Sequence, residues 1–287
     1  MHHAMRHLLA TLVLLTGAAT LPGTAHAETY NTCAGFIDSV PTTITTQGVW
    51  CLRKDLSTNL ATGAAITINA NNVTIDCNDF KIGGLAAGDA STATGIYAYD
   101  KQNATVRHCN VRGFYYGINL GGGSGTAGHL VEDNRLDNNL SRGIIVTGDN
   151  NRVRRNAIYD TGGSATSGSY GIYAYADVID NTVEGVFATA TNGSSYGIMV
   201  LDTGHVALNN QVRGVVPNGT GSAYGIHVGF GSNHRKTIDG NQVISDATTA
   251  ITGTGIRGDS SFCRNNTVAG FTTAASGCED VGGNAGF

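Results

Sequence analysis

Tyr170-Gly171-Ile172-Tyr173-Ala174-Tyr175-Ala176-Asp177-Val178-Ile179-Asp180-Asn181-Thr182-Val183 contains both elements that recur through most of the chain. The first is a Gly-Ile pair, found at Gly95-Ile96, Gly117-Ile118, Gly143-Ile144, Gly171-Ile172, Gly197-Ile198, Gly225-Ile226 and Gly255-Ile256, with spacings of 22, 26, 28, 26, 28 and 30 residues. The second, Asn-x-aliphatic, falls between them: Asn134-Arg135-Leu136, Asn156-Ala157-Ile158, Asn181-Thr182-Val183, Asn210-Gln211-Val212, Asn241-Gln242-Val243 and Asn266-Thr267-Val268. Cys109-Asn110-Val111 holds the same place one repeat earlier, with Cys substituting for the Asn. Self-similarity at this period marks a solenoid.

The period inside each unit selects the kind of solenoid. Aliphatics alternate around Gly-Ile, as in Ile144 and Val146, Ile198 and Val200, or Ile226 and Val228. A second short strand precedes the Asn, as in Val73-Thr74-Ile75, and a third follows it, as in Val111 or Val212. Three period-2 strands per unit, separated by Gly, Asn and Ser turns, describe one coil of an all-β parallel β-helix. Leucine-rich repeats need more leucines than the chain has, and propeller blades are longer than this period. Equivalent residues then stack about 4.8 Å apart along the axis. The asparagines are expected to form a structural ladder, taking the left-handed turn conformation and bonding each other through their amides.

The run Val73-Thr74-Ile75-Asp76-Cys77-Asn78-Asp79-Phe80-Lys81-Ile82-Gly83-Gly84, with the repeats that follow it, resembles the right-handed parallel β-helix proteins of the pectin-lyase-like superfamily. The resemblance covers roughly residues 60–285. It implies a right-handed solenoid of about eight coils over 61–287, and it leaves the activity open, because that superfamily holds lyases, hydrolases, epimerases and tailspikes. The catalytic patterns that its active members imply are absent here: Asn-Thr-Asp, Asp-Asp, Gly-His-Gly, Arg-Ile-Lys, Arg-x-Pro-x-x-Arg and Asp-Pro-His.

Composition agrees with strands and turns. Glycine fills 41 of 287 positions, roughly twice the usual ~7% share. Beyond residue 27 the glutamates are Glu28, Glu132, Glu184 and Glu279, and the lysines Lys54, Lys81, Lys101 and Lys236, too few for a helical chain. Only 13% of residues are charged and the net charge is −4. That balance argues against nucleic-acid binding, which needs a basic footprint.

Residues 1–27 read as a signal peptide, with Arg6 before an apolar run from Leu8 to Leu15 and a small-x-small site at Ala25-His26-Ala27. The alternative is a membrane anchor, although the run is shorter than the ~20 residues a span requires. A secreted chain, extracellular or periplasmic, is expected, with an N-terminal cap over 28–60 and no membrane span after cleavage. Six cysteines in an exported chain suggest disulfides. Fifteen connectivities are open, and a sequential one is expected: Cys33–Cys51, Cys77–Cys109 and Cys263–Cys278. No Cys-x-x-Cys or Cys/His cluster supports a metal. No phosphate loop or hydrolase motif points to a cofactor.

Two outward columns are candidate sites. The residues just before each ladder position include His108, Asp133, Arg155 and Asp180. They could line a surface for an acidic sugar chain, Arg neutralising a carboxylate while Asp or His moves a proton. The competing reading is an ion-pair ladder, since Arg107–Glu132–Arg154, Asp133–Arg155–Asp180, Arg112–Asp137 and Glu184–Arg213 alternate in sign. Tyrosines form the other candidate. Tyr116, Tyr170, Tyr196 and Tyr224 directly precede Gly-Ile and could stack sugar rings along a polysaccharide; the competing reading is a stack that caps the turn, each ring packing on the next. Tyr97, Tyr173, His227 and Arg257 follow the Ile, point outward and are the carbohydrate-binding candidates. Gly/Ser/Thr/Ala tracts at 162–169, 189–195 and 217–223 should cluster along one edge, where solenoids carry function. The chain therefore reads as an exported polysaccharide-binding or cell-envelope protein without identifiable catalysis. The alternative is a carbohydrate-active lyase or hydrolase acting on an acidic polysaccharide.

Overall fold

Short β-rich segments punctuated by Gly and Asn cannot bury an apolar face alone, so successive coils stack and share one core. The computed structural model describes residues 30–287, except 124, 167, 202–204, 230–235 and 247–248. The signal peptide expected at 1–27 lies outside the described residues. The chain forms a right-handed parallel β-helix with three faces. The first face carries the Gly-Ile strands, such as Thr94–Tyr99, Tyr116–Gly121 and Ala223–Gly229. The second carries strands such as Thr105–Arg107, Leu130–Glu132 and Val206–Leu208, and the third Asn110–Arg112, Arg135–Asp137 and Gln211–Val216. Among the described residues the third face has nine strands, so the solenoid makes about eight turns from the first of them to the last. In Arg142–Arg154 and Ser169–Ile179 the first and second faces run on as one strand.

All pairings are parallel and mostly in strict register. The Ile of Gly-Ile sits over its equivalent from Ile96 through Ile118, Ile144, Ile172, Ile198 and Ile226 to Ile256. Each of these is fully buried, and burying such a side chain contributes roughly 1.5–3 kcal/mol. The glycine beside it has a steric cause. A Cβ on Gly197 would lie 2.4 Å from Val212 Cγ1 on the third face and 2.6 Å from the carbonyl of Gly225 in the next coil. Glycine is thus what lets the first and third faces meet at a tight corner.

Three disulfides join Cys33–Cys51, Cys77–Cys109 and Cys263–Cys278, the sequential pattern. Within the segment read as a cap, Gly35–Ile37, Thr42–Ile44, Gly48–Leu52 and Leu56–Ser57 already pair in parallel with neighbouring coils. The tracts at 162–169, 189–195 and 217–223 do stack along one edge: Thr189 Oγ1 donates to Ser164 O at 2.8 Å, and Asn218 Nδ2 to Thr189 O at 3.1 Å. Among the described residues no helix is long and apolar enough to cross a membrane.

Candidate functional site

The ladder asparagines do what their chemistry demands, although one expectation about them is corrected. Asn134, Asn156, Asn181, Asn210, Asn241 and Asn266 are all buried. In each coil the side-chain oxygen accepts both the backbone N–H and the amide N–H of the Asn before it. Asn181, for example, donates from N and Nδ2 to Asn210 Oδ1, both at 3.0 Å. The column continues to Asn284 and begins at Cys109, whose N–H donates to Asn134 Oδ1 at 3.0 Å. The left-handed conformation, however, falls one residue earlier. His108, Asp133, Arg155, Asp180, Asn209 and Asn265 have φ between +51° and +57°, and Gly240 has +68°. The buried amide and the strained turn residue are neighbours, and a single Asn does not serve as both.

This accounts for the first candidate set. His108, Asp133, Arg155 and Asp180 occupy the turn position, where their backbone conformation is the common property. Asp133 and Arg155 are closed on each other at 2.7 Å, and Arg155 also reaches Glu132 at 2.9 Å. The Arg155 hydrogen bond holds the Asp133 carboxyl below the usual carboxylate range. His108 Nδ1 lies 3.2 Å from Asp76, and Arg107 bonds the same carboxylate at 2.8 Å, so Arg107 pairs back to Asp76 and not forward to Glu132 as the alternation suggests. Arg154 closes on Glu132 at 2.7 Å. Arg213 departs from the ladder too, donating to Gln242 and not to Glu184. Asp180 is exposed and closes on no cation.

The first face carries the second candidate set. Tyr170, Tyr196 and Tyr224 stack face to face at centroid distances of 4.6 and 4.8 Å, the spacing of the coils. Tyr116 lies two coils from Tyr170, and Arg142 fills the place between them, 5.4 Å from one ring and 5.0 Å from the other. The two rows are joined sideways. Arg142 also lies over Tyr173 at 4.9 Å, and His227 packs against Tyr224 at 5.5 Å and Tyr196 at 6.1 Å. The result is one aromatic and cationic strip along the axis from Tyr116 to Arg257. Burial pushes the Tyr196 phenol up to about 12 and raises Tyr116 and Tyr170 as well, so these hydroxyls stay protonated.

The four carbohydrate candidates do not form one cluster. Tyr97 and Tyr173 are half-buried and stand three coils apart, with Asn119 and Ile145 between them in register. His227 and Arg257 are neighbours. The expected outward exposure of His227 is corrected: it is only 4% exposed, because the tyrosine rings lie against it. Arg257 bonds Asp259 at 3.3 Å, and Asp259 lies 3.6 Å from His227 Nε2. Tyr224 and Asp259 thus complete a cluster of which the sequence reading had only His227 and Arg257. A Cβ on Gly229 would fall 2.6 Å from His227 Nε2 and 2.8 Å from Asp259 Oδ2, so this glycine leaves the space in which the two approach. Burial, as the largest cause, lowers the His227 pKa and keeps the imidazole neutral.

A region missed entirely lies at the opposite corner from the stacked loops, where the first face turns into the second. A cleft of about 520 Å³ there is lined by Gly128, His129, Leu130, Asn150, Asn151, Arg152, Arg154, Asp177 and His205. Arg152 and Asp177 face outward in register on adjacent coils. A sequence signal for them exists: both stand four places before a ladder Asn.

These observations establish the fold, and the sequence agrees. Residues 55–215 match the family described as the right handed β helix region. The chain belongs to this family. Among solved structures the β-helix chain is similar to the Agl-KA catalytic domain, at 15% identity, with 80% of this chain and 50% of that one covered and a TM-score of 0.47. It is also similar to the A-module of the Azotobacter vinelandii mannuronan C-5 epimerase AlgE6, at 15% identity, 83% and 80% coverage and a TM-score of 0.46. A third likeness is to the catalytic domain of a GH87 alpha-1,3-glucanase in complex with nigerose, at 14% identity, 84% and 62% coverage and a TM-score of 0.33. The chain spans half the length of the Agl-KA catalytic domain. At such identities the likeness is one of fold alone. No curated protein matches the sequence.

Proposed function

We propose that the protein is an exported β-helix that binds an acidic polysaccharide laid along its first face, without a catalytic step of its own. The observation that carries this reading is the continuous aromatic and cationic strip from Tyr116 through Arg142, Tyr170, Tyr196 and Tyr224 to Arg257. It repeats with the coil spacing, a length comparable to one sugar unit, so successive sugars meet equivalent groups. Stacked rings have no free faces and offer protonated hydroxyl edges to sugar oxygens. Tyr97 and Tyr173 supply aromatic surface beside the strip, Arg257 supplies charge for a carboxylate, and His227 packs against the Tyr196 and Tyr224 rings. Export is supported by the leader-like pattern at 1–27 and by three disulfides, which persist in oxidising compartments.

Affinity electrophoresis of the folded chain through gels containing polygalacturonate or alginate tests the binding. Retardation that disappears in neutral glucan gels is expected, and equal mobility in all gels contradicts it. A second reading, a lyase or hydrolase acting on an acidic glycan, is favoured by the Tyr224–His227–Arg257–Asp259 cluster. There a neutral His near a carboxylate is suited to accept a proton beside a cation that neutralises the sugar carboxylate. Unsaturated sugar ends absorbing in the ultraviolet, or new reducing ends, would establish that reading and remove the noncatalytic one.

A further inference from the structure

Arg142 differs from the other cations of the chain. Among the described residues every other arginine lies beside a carboxylate, except Arg213, which donates to Gln242. Arg142 is half-buried on the first face, and its guanidinium makes no hydrogen bond and closes on no carboxylate. Its Nε is enclosed and without a partner, whereas the Nη edge stays accessible. The rings of Tyr116, Tyr170 and Tyr173 lie 4.9–5.4 Å from it. Ring faces attract a cation but do not replace the acceptors its N–H groups had in water. A half-desolvated guanidinium without acceptors is costly, and an anion at its open edge relieves that cost.

The strip around it is neutral. The column of Arg142 continues through Tyr170, Tyr196 and Tyr224 to Thr254. The neighbouring column runs from Ile145 through Tyr173, Met199 and His227 to Arg257, and burial keeps His227 neutral. In the two preceding coils Tyr116 and Asn119, then Thr94 and Tyr97, hold the same two positions. The next cation is therefore Arg257, four coils from Arg142 and already shared with Asp259 at 3.3 Å. At about 4.8 Å per coil the two stand about 19 Å apart along the axis, roughly four sugars of an extended chain.

We propose that the first face takes a heteropolysaccharide whose acid groups are spaced, one sugar carboxylate held by Arg142 and the next no nearer than Arg257, with neutral sugars between. This rests on the reading of the first face as a glycan surface and adds which glycan it selects. The carboxylate accepts paired hydrogen bonds from the Nη edge of Arg142. Neutral sugars over Tyr170, Tyr196 and Tyr224 exchange hydrogen bonds with the phenol hydroxyls and bring no charge to be neutralised. A chain acidic at every sugar would place carboxylates over coils that hold no cation, where their loss of water is not repaid.

Calorimetric titration of the folded chain with three octasaccharides tests it. The first is deacylated gellan, which carries one glucuronate per tetrasaccharide repeat; the second is the same fragment with its carboxyl groups reduced to alcohols; the third is octagalacturonate. The gellan fragment is expected to bind at least about tenfold tighter than either of the others. Arg142→Gln should weaken the gellan fragment at least about fivefold and leave the reduced fragment unchanged, which also shows the face to be intact. Arg142→Lys, which keeps the charge without the paired donors, should fall between the parent and Arg142→Gln. Octagalacturonate binding as tightly as the gellan fragment overturns the spacing, and a gellan fragment unaffected by Arg142→Gln overturns the anchor. If octagalacturonate binds tightest and Arg257→Gln abolishes it, the first-face glycan reading stands and the spaced-acid inference falls. If none of the three binds, both fall.

Discussion

Arg155 and Arg152 leave the same coil of the second face, a few residues apart, and meet opposite circumstances. Arg155 sits at the turn toward the third face, with a left-handed backbone and two carboxylates within 2.9 Å. Arg152 sits near the turn toward the first face, with a single carboxylate at 3.7 Å and a cleft beside it. The first region repeats in almost every coil, because the buried Asn column fixes the turn and the outward charges close over it. At the second region the strand Arg142–Arg154 shifts register between Val146 and Asn151, so the column is broken and space opens. Closed charge pairs leave no space on the surface of this solenoid; the interruption of the stacking does.

The largest effect should come from the turn column. Asn210→Ala removes the acceptor for two Asn181 N–H groups and the donor to Val178 O and Asn241 Oδ1. Leaving buried groups unpaired costs about 1–3 kcal/mol each. A loss of at least about 3 kcal/mol in urea unfolding is expected, and a loss under about 1 kcal/mol would break the assignment of this column as the structural one.

The corner should reveal itself through pH. Burial holds His129 near 4 in the folded chain against 6.5 as the ordinary value. Between these values the unfolded chain binds the extra proton, so stability falls as pH drops through the window, by up to about 3 kcal/mol. His129→Asn, with Oδ1 replacing Nδ1 as acceptor for Ala104, should remove that part of the acid loss. Coincident profiles for parent and variant between pH 4 and 6.5 would contradict this.

Turn conformation predicts a smaller effect. Asp180→Asn should be neutral, and Asp180→Val should lose about 1–2 kcal/mol, because a β-branched side chain resists φ near +57°. If Asn and Val behaved alike, the backbone would not be what selects residues at this position. Smallest of all, Arg152→Gln should change stability by less than about 0.5 kcal/mol, since it closes no ion pair. A larger loss would place Arg152 among the structural charges.

The fold was legible because a solenoid writes its contacts into the sequence once per coil. Gly197 and Asn210 recur since every coil needs the same tight corner and the same buried amide. The ladder's function was legible too, but not its division of labour: Asp180 and Asn181 both suit a left-handed turn, and only the backbone shows which adopts it. The aromatic strip was half legible. The tyrosines before Gly-Ile announced a stack, whereas Arg142 completing it and Tyr224 and Asp259 gathering around His227 depend on which side chains bend sideways between rows. The corner cleft was not legible. Arg152 and Asp177 align by counting back four places from Asn156 and Asn181, but the register shift between Val146 and Asn151 beside the cleft leaves no mark in that count.

The proposed glycan surface is the first face, whereas the turn column is structural. Side-by-side affinity electrophoresis of Arg257→Gln and Arg155→Gln in polygalacturonate gels tests it directly. Lost retardation in Arg257→Gln and parental retardation in Arg155→Gln is the predicted result. Parental retardation in Arg257→Gln with loss in Arg155→Gln would contradict it.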